Sequence, residues 1–241
     1  MTEGQVVLIS GGAKRIGRAL AVHLAHQGFR VVVHYHTSEQ EAKRLQTELE
    51  SEGLSLKLVR GDLAASSDLH LLFNRAVEAF GQVDHLINNA SFFPTQTIEE
   101  TDLASFEQLM AVHHTAPFFL SQALYSHLLS RSAKGSVINL LDTKLSNPTA
   151  SRPAYYCAKG ALSAQTKALA VALGPVVRVN AISPGAVLSN GEDAYFRKMA
   201  EILPLRSTGS AQDICEAVSY LLGALFVTGV DLPVDGGQRL L

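Results

Sequence analysis

Short apolar runs rich in Val, Ile and Leu alternate along the chain with longer stretches in which apolar residues recur every three or four positions. The short runs are typical of buried strands, and the longer stretches are typical of helices with one apolar face. Strands are predicted at residues 5–10, 30–35, 55–60, 83–88, 136–141, 177–182 and 229–234. Helices are predicted at residues 16–26, 39–52, 66–80, 155–173 and 212–222, with a long helical region between the fourth and fifth strands.

This alternation predicts a doubly wound α/β fold, in which helices cover both faces of a parallel sheet. No linker, repeat or low-complexity segment interrupts the pattern, so we expect residues 1–241 to form a single domain. In open parallel sheets, ligands bind outside the carboxyl ends of the strands. The candidate site segments are therefore residues 10–17, 34–38, 61–63, 88–93, 142–143 and 184–188.

Composition narrows the class of protein. Of the 241 residues, 47% are hydrophobic and 17% are charged, which is enough apolar material for one large core. A net charge of −2 and a pI near 6.5 argue against a nucleic-acid or anionic-membrane surface. Cys157 and Cys215 lack metal-site spacing and are expected to be free thiols in a reducing compartment. Since Met1 leads almost directly into a strand and no apolar stretch could span a bilayer, we expect a cytoplasmic protein without a signal peptide.

Residues 10–17, SGGAKRIG, join the first predicted strand to the first predicted helix. Glycines at such a turn let backbone N–H groups approach a phosphate at the positive end of a helix, although an ordinary strand-to-helix turn is the alternative. Lys14, Arg15 and Arg18 crowd this N-terminus, where the helix dipole disfavours cations, and a bound anion would explain them. The predicted cofactor contacts here are Gly11, Lys14, Arg15, Ile16 and Gly17.

The end of the second predicted strand indicates which dinucleotide binds. NAD enzymes place an acidic residue there for the ribose 2′-hydroxyl, but the first acidic residue here is Glu39, inside the next helix. Hydroxyls, imidazoles and Arg15 suit a 2′-phosphate, so we predict that the cofactor is NADPH (NADP+). His34 is expected to pack within the sheet. The predicted contacts are Tyr35, His36, Thr37 and Ser38.

Tyr155 and Lys159 are four residues apart in a predicted helix, so their side chains share one face. A phenol has an ordinary pKa of about 10, and a nearby ammonium would lower that pKa toward the range useful for proton transfer. The lysine can also hydrogen-bond the cofactor ribose. An ordinary surface pair is the alternative. Tyr156 is three residues from Lys159 and is expected to be a packing residue.

Several motifs together resemble those of the short-chain dehydrogenase/reductase family: SGGAKRIG at 10–17, GDL at 61–63, NNA at 88–90, YxxxK at 155–159, SPG at 183–185 and VDGG at 234–237. The resemblance covers nearly the whole chain and implies a seven-stranded Rossmann sheet, NAD(P)-dependent hydride transfer and a homotetramer. It implies that Asp62 and Leu63 flank the adenine. On the nicotinamide side it implies contacts with Asn89, Ala90 and Ser91. Further implied cofactor contacts are Pro184, Gly185, Val187 and Leu188.

Three departures from the family pattern resemble the pteridine reductases and the related dihydromonapterin reductases. Arg15 and Ser91 both stand where the family has glycine, and Asp142 stands where it has serine, thirteen residues before Tyr155. A pterin C=N bond must gain a proton at nitrogen as hydride reaches carbon, and a carboxyl beside a phenol can share in that step. Asp142 capping the following loop is the alternative. The implied catalytic residues are Asp142, Tyr155 and Lys159.

The resemblance places the substrate, a small-molecule pterin such as dihydromonapterin, dihydrobiopterin or dihydrofolate, between the nicotinamide and an aromatic ring. Phe92 is the predicted ring and Phe93 is the alternative. The loop 186–195 is expected to close over the substrate, and its small polar residues are Ser189, Asn190 and Gly191. The predicted substrate contacts are Ser91, Phe92, Asp142, Tyr155 and Leu188.

His113 stands where the family has an asparagine that acts through its backbone carbonyl, so a different side chain is tolerable there. The adjacent His114 points to a different helix face, which argues against a metal site. Two other functions compete with pterin reduction. One is reduction of a carbonyl in a 3-oxoacyl thioester or a sugar, against which Asp142 argues. The other is a cofactor-binding sensor without turnover, against which Tyr155 and Lys159 argue.

Overall fold

A parallel sheet forms the centre of the protein in the computed structural model, which describes residues 4–188 and 193–241. Its strands are β1 (Val6–Ile9), β2 (Arg30–Tyr35), β3 (Leu56–Arg60), β4 (His85–Asn88), β5 (Gly135–Leu140), β6 (Val177–Pro184) and β7 (Asp231–Val234). They form one seven-stranded sheet in the order β3-β2-β1-β4-β5-β6-β7, and every neighbouring pair is parallel. The predicted doubly wound α/β fold is confirmed.

Helices connect the strands and cover both faces of the sheet. They are α1 (Arg15–His26), α2 (Glu39–Ser51), α3 (Leu69–Phe80), α4 (Leu103–Met110), α5 (Ala116–Ser130), α6 (Pro153–Ala172), α7 (Asp193–Ile202) and α8 (Ala211–Gly223). A π-helical turn, Ala111–Thr115, joins α4 to α5. Short 3-10 turns lie at Ser66–Asp68, Thr143–Leu145 and Gln238–Leu240.

Helix α7 is the element that the sequence does not predict, because its first residues fall inside the expected loop 186–195. Met199 packs with Ala186 and Leu203 in a small apolar cluster, and this burial gives the helix its inner face. Of the expected loop, Ser189, Asn190 and Gly191 lie outside the described residues. The closure of the loop over a substrate therefore stays a prediction.

The core consists of two apolar layers, one on each face of the sheet. Val7 and Ile9 of β1 pack with residues of α1, α2 and α8, while Val6 and Leu8 pack with residues of α3, α5 and α6. All four side chains are completely buried. Because both faces are covered, successive strand residues are buried, which explains the nearly continuous apolar runs in the sequence.

The strand order reverses next to β1, which pairs with β2 on one side and with β4 on the other. The connections after β1 and β4 diverge there to opposite faces of the sheet. A ligand crevice is expected at such a switch point.

Within the described residues, no helix combines the length and apolar character needed to cross a bilayer. The same part of the chain holds no group of three or more side chains that could ligate a metal ion. Cys157 is exposed, Cys215 is buried, and both are free.

Candidate active site

A cavity of about 830 Å³ opens at the carboxyl edge of the sheet. It extends from the loops after β1 and β2 to those after β5 and β6, so it is bounded by segments that are distant in the sequence. Every predicted cofactor, substrate and catalytic residue lines this cavity: Gly11, Lys14, Arg15, Ile16, Gly17, Tyr35, His36, Thr37, Ser38, Asp62, Leu63, Asn89, Ala90, Ser91, Phe92, Asp142, Tyr155, Lys159, Pro184, Gly185, Val187 and Leu188.

The turn after β1 is tight enough to require glycine at two positions. Gly11 has a φ of +62°, and a Cβ there would lie 2.8 Å from the Cα of Ala90. A Cβ on Gly17 would lie 2.4 Å from the carbonyl oxygen of Gly11 and 2.6 Å from Nδ2 of Asn89. The start of α1 is therefore held directly against the turn, and its N-terminus faces the cavity. This cradle fits the phosphates of a dinucleotide.

Asn89 braces the turn from the neighbouring strand. Its Nδ2 donates to the carbonyl oxygens of Ser10 and Gly11, at 2.9 and 3.0 Å. In return, Oγ of Ser10 accepts from the backbone N–H groups of Asn89 and Ala90, both at 3.0 Å. The sequence predicts Asn89 as a cofactor contact, which stays a prediction; Asn89 lines the cavity, and its side-chain Nδ2 is bonded to the phosphate loop. The adjacency of β1 and β4 is the information that the sequence pattern lacked.

His34 supports the same turn from below. Its Nδ1 accepts from the Gly11 N–H at 3.2 Å, and its Nε2 donates to the Gly61 carbonyl at 3.1 Å. Burial lowers the pKa of His34 to about 4, so the ring is neutral near pH 7. The expectation that His34 packs within the sheet is confirmed.

Two of the three cations at the start of α1 form ion pairs with carboxylates of the protein. The Lys14 ammonium lies 2.9 Å from the Glu41 carboxylate, and the Arg18 guanidinium lies 2.6 Å from that of Glu48. Lys14 and Arg18 therefore have protein partners, and the contact predicted between Lys14 and the cofactor stays a prediction. Among the described side chains, Arg15 has no ion-pair partner, and it is exposed at the rim of the cavity.

Tyr155 and Asp142 meet at the other end of the cavity. The phenol donates to Oδ2 of Asp142 at 2.9 Å, and the thirteen-residue spacing led us to expect this proximity. Oδ1 of Asp142 accepts from the Lys144 N–H at 2.8 Å, so the alternative capping role is also present. One carboxylate oxygen thus fixes the loop while the other faces the phenol.

The protonation of Tyr155 differs from the expectation. Burial, followed by the charge of the Asp142 carboxylate, raises the pKa of Tyr155 well above its usual range. The Lys159 ammonium donates to the Leu140 carbonyl at 2.6 Å, and burial lowers the pKa of Lys159 to about 8. The expectation that lysine lowers the phenol pKa is therefore wrong in this structure. The phenol is neutral and remains a hydrogen-bond donor.

The side chain of His113 belongs to the site, which the sequence does not indicate. It is 1% exposed, and its Nε2 donates to the Phe92 carbonyl at 2.9 Å. Its ring stacks on Phe92, with centroids 5.7 Å apart, and meets Tyr155 edge-on at 5.4 Å. The π-helical turn Ala111–Thr115 carries it there, and such turns often occur at functional sites. Burial, with Lys159 second, lowers the pKa of His113 to about 3.

Phe92 and Phe93 occupy different environments. Phe92 is half-buried, with His113 against its ring. Phe93 is 43% exposed, with its centroid 6.2 Å from that of Tyr155. One of the two was expected to anchor the loop, and the packing favours Phe92 for that task. Phe93 then becomes the stronger candidate for stacking on a substrate.

Comparison with known proteins identifies the family. A family model described as enoyl-(acyl carrier protein) reductase matches residues 11–239. The chain belongs to the short-chain dehydrogenase/reductase family. A putative ketoacyl reductase of the granaticin polyketide synthase from Streptomyces violaceoruber is 34% identical over 250 residues, covering 99% of this chain and 98% of the relative.

Solved structures extend the comparison. The alternative dihydrofolate reductase 1, FolM, from Brucella canis, complexed with NADP, has a TM-score of 0.94 and 31% identity, covering 100% of this chain and 96% of that one. The acetoin dehydrogenase YohF from Salmonella typhimurium has a TM-score of 0.90 and 26% identity, covering 98% of both chains. The chain is thus an oxidoreductase of a family that uses NAD(P), and the glycine cradle at Gly11 and Gly17 fits that cofactor.

Proposed function

We propose that this protein reduces the ring of a dihydropterin or dihydrofolate with NADPH. The observation that carries the proposal is the 2.9 Å hydrogen bond from the Tyr155 phenol to the Asp142 carboxylate. NADPH, when bound, supplies the hydride. A serine hydroxyl at the position of Asp142 would suit polarisation of a carbonyl, whereas a carboxylate can accept hydrogen bonds from the N–H groups of a pterin ring.

Four side chains have separate roles in the proposed reaction. Tyr155 holds a proton on its Oη, ready for the ring nitrogen that becomes basic as its neighbouring carbon is reduced. Asp142 accepts the phenol O–H in the resting site and orients the ring of the substrate. Lys159, fully buried beneath them, places a positive charge near the phenolate that forms when the proton leaves. His113 holds the Phe92 loop and packs against the tyrosine ring.

Relatives of two kinds support different substrates. The FolM structures are of alternative dihydrofolate reductases in complex with NADP. Among curated relatives, glucose 1-dehydrogenase 2 of Bacillus subtilis is 26% identical over 246 residues, covering 98% of this chain and 95% of the relative. Carbonyl or sugar reduction is therefore the second candidate function. Asp142 at the position of the family serine favours the pterin.

Preference for NADPH over NADH rests on the end of β2. His36 and Ser38 line the cavity there, and the first acidic residue, Glu39, pairs with Lys43 on the exposed face of α2. Arg15, unpaired among the described side chains, supplies the cation that a 2′-phosphate requires.

The decisive experiment follows NADPH oxidation with dihydromonapterin, dihydrobiopterin, dihydrofolate and a panel of ketones and sugars. We expect turnover of dihydropterins and little on ketones. Asp142→Ser should lower kcat/KM for the pterin by about 100-fold while the Kd for NADPH stays within about two-fold, since the Asp142 carboxylate contacts the Tyr155 phenol and the Lys144 loop and makes no contact with the glycine cradle. The matched control is Asp68→Ser, which changes an exposed aspartate outside the cavity.

Three outcomes would contradict the proposal. Activity on ketones alone would favour the second candidate. NADPH binding without turnover on any substrate would indicate a sensor. An equal loss for ketones and pterins in Asp142→Ser would show that the carboxylate is structural.

A homotetramer and a cytoplasmic location complete the proposal. Exposed apolar side chains on α5 and α6, among them Phe118, Phe119 and Val171, support an oligomer because such surface is costly to leave in water. Light scattering on the purified protein tests the tetramer, and a monomer at micromolar concentration would contradict it.

A further inference from the structure

The substrate end of the cavity carries two cations that the proposed mechanism does not use, Lys144 and Arg152. Both line the same cavity as Asp142 and Tyr155. Neither forms an ion pair with any acidic side chain that the structure describes.

Arg152 stands one aromatic ring away from the reacting phenol. Its guanidinium carbon lies 5.4 Å from the Phe93 centroid, and that centroid lies 6.2 Å from the centroid of Tyr155. One N–H donates to Oγ1 of Thr95 at 3.0 Å, a neutral acceptor that leaves the positive charge uncompensated. Its buried Nε has no hydrogen-bond partner within the described residues. The guanidinium therefore retains charge and donors for a ligand.

Lys144 follows Asp142 by two residues and lines the same cavity as Arg152. Its backbone N–H donates to Asp142, and its ammonium lies 5.5 Å from the centroid of Tyr195, over the ring. A ring face attracts the ammonium without neutralising it. Asp142 is engaged with the phenol and the loop, and Asp235 is engaged with Thr143 and the backbone N–H groups of Gly237 and Arg239. Both cations therefore remain available to an anion.

We infer that the pterin reduced by this protein carries an anionic side chain, and that Lys144 and Arg152 bind that charge. The inference rests on the proposed pterin reduction and concerns the tail of the substrate rather than its ring. With the ring held beside Asp142 and Tyr155, the tail extends along the part of the cavity that Phe93, Tyr195 and the two cations line. The anion is a carboxylate, as in the glutamate of dihydrofolate, or the phosphate of a phosphorylated dihydropterin.

The test compares kcat/KM for dihydrofolate, for dihydroneopterin phosphate and for dihydrobiopterin, whose tail is neutral. We expect at least one anionic substrate to exceed dihydrobiopterin by about ten-fold or more, mainly through a lower KM, since each charge-assisted contact contributes on this order. The anionic substrate that gains identifies carboxylate or phosphate. The advantage should shrink between about 50 and 500 mM salt, because exposed charges are screened.

Variants assign the effect to the two side chains. Lys144→Gln and Arg152→Gln should each lower kcat/KM for the preferred anionic substrate about five- to ten-fold, and the double variant should bring it close to that of dihydrobiopterin. Dihydrobiopterin turnover should change less than about two-fold. Lys134→Gln, an exposed lysine outside the cavity, is the matched control and should change neither.

The outcomes separate this inference from the proposed function. The inferred binding of an anionic tail is wrong if kcat/KM for dihydrobiopterin equals that for both anionic substrates. It is also wrong if the variants lower kcat/KM equally for all substrates. In either case the proposed pterin reduction stands. If Arg152→Gln alone lowers kcat/KM equally for all substrates, the loss reflects the packing of Arg152 on Phe93. The effect of Lys144→Gln on the anionic substrates then decides whether an anion is bound. If no pterin is reduced, both the proposed function and the inference are wrong.

Discussion

The two ends of the cavity are built in different ways. At the cofactor end, one contiguous segment, residues 10–17, forms the cradle, and backbone groups make most of its contacts. At the substrate end, Asp142, Tyr155 and His113 come from three separate parts of the chain and meet through side chains. The first end depends on shape and small residues, whereas the second depends on burial and on a few polar groups.

Two buried histidines show the same contrast. His34 at the cofactor end is bonded at both nitrogens, to Gly11 and to Gly61. His113 at the substrate end is bonded at Nε2 alone, and its buried Nδ1 has no partner within the described residues. His34 is therefore held by the phosphate loop and the Gly61 carbonyl, whereas His113 is held by the loop that carries Phe92.

The largest expected effect is chemical and confined to the substrate end. Tyr155→Phe removes the proposed proton donor and should lower kcat for the proposed pterin reduction about 100- to 10,000-fold, with the Kd for NADPH changed less than about two-fold. Stopped-flow hydride transfer and fluorescence titration of NADPH measure the two quantities. Tyr125→Phe on α5, outside the cavity, is the control. Loss of NADPH binding in Tyr155→Phe would mean that the two ends are not separable.

At the cofactor end, we expect a substitution to weaken NADPH binding and folding stability. Gly17→Ala forces a Cβ against Gly11 and Asn89, and should cost about 1–3 kcal/mol of unfolding free energy as well as NADPH affinity. Gly160→Ala is the matched control, since a Cβ on this α6 glycine meets nothing within 4 Å and should be neutral or slightly stabilising. Urea unfolding compares the two. Equal stability of both variants would show that the cradle yields more easily than its geometry implies.

Acid should weaken both ends through their buried histidines. Burial depresses the pKa of His34 and of His113 to about 4 and about 3, below the ordinary 6.5. The unfolded chain therefore binds protons first, and stability falls as pH drops below about 6.5, by about 2 kcal/mol per histidine at pH 5. The unfolding free energy of His113→Asn should fall less between pH 7 and pH 5 than that of the parent. The exposed His70→Asn should match the parent, and a pH-independent difference for His113→Asn would contradict the assignment.

The smallest expected effect is on the KM for NADPH, and it should differ between Arg15 and Arg18, two neighbouring cations at the cofactor end. Arg15→Ala should raise the KM for NADPH about ten-fold and that for NADH less than about two-fold, because only NADPH carries the additional phosphate. Arg18→Ala should change neither, since Arg18 is held by Glu48. Steady-state kinetics with both cofactors give the answer. Equal effects of Arg15→Ala on NADPH and NADH would make Arg15 structural.

Elements with strong local patterns are predicted well. Strand β2 has the predicted limits, and β1 and β3 differ by one residue at one or both ends. Strand β6 continues two residues further than predicted, to Pro184, because Ser183 and Pro184 pair with β7. That extension depends on a strand about fifty residues away, which a local pattern does not contain.

The sequence predicts which residues line the site better than it predicts which partners their side chains have. Residues that follow strands must reach the same edge of a parallel sheet, which is why all the predicted site residues line one cavity. Lys14 is paired because α2 supplies Glu41. The Asn89 amide bonds to the phosphate loop because β4 lies beside β1. The side-chain role of His113 has no sequence signal, because a π-helical turn has no distinctive residue pattern here.

The sequence by itself determined the fold class, the family and many of the residues that line the cavity, because apolar periodicity and short motifs are properties of neighbouring positions. Only the tertiary structure decided the charge states and partners within that set. It keeps the Tyr155 phenol neutral, leaves Arg15 unpaired among the described side chains and brings His113 against the Tyr155 ring. Burial and long-range contact set these properties, since the free energy of a charge depends on the groups that surround it in space.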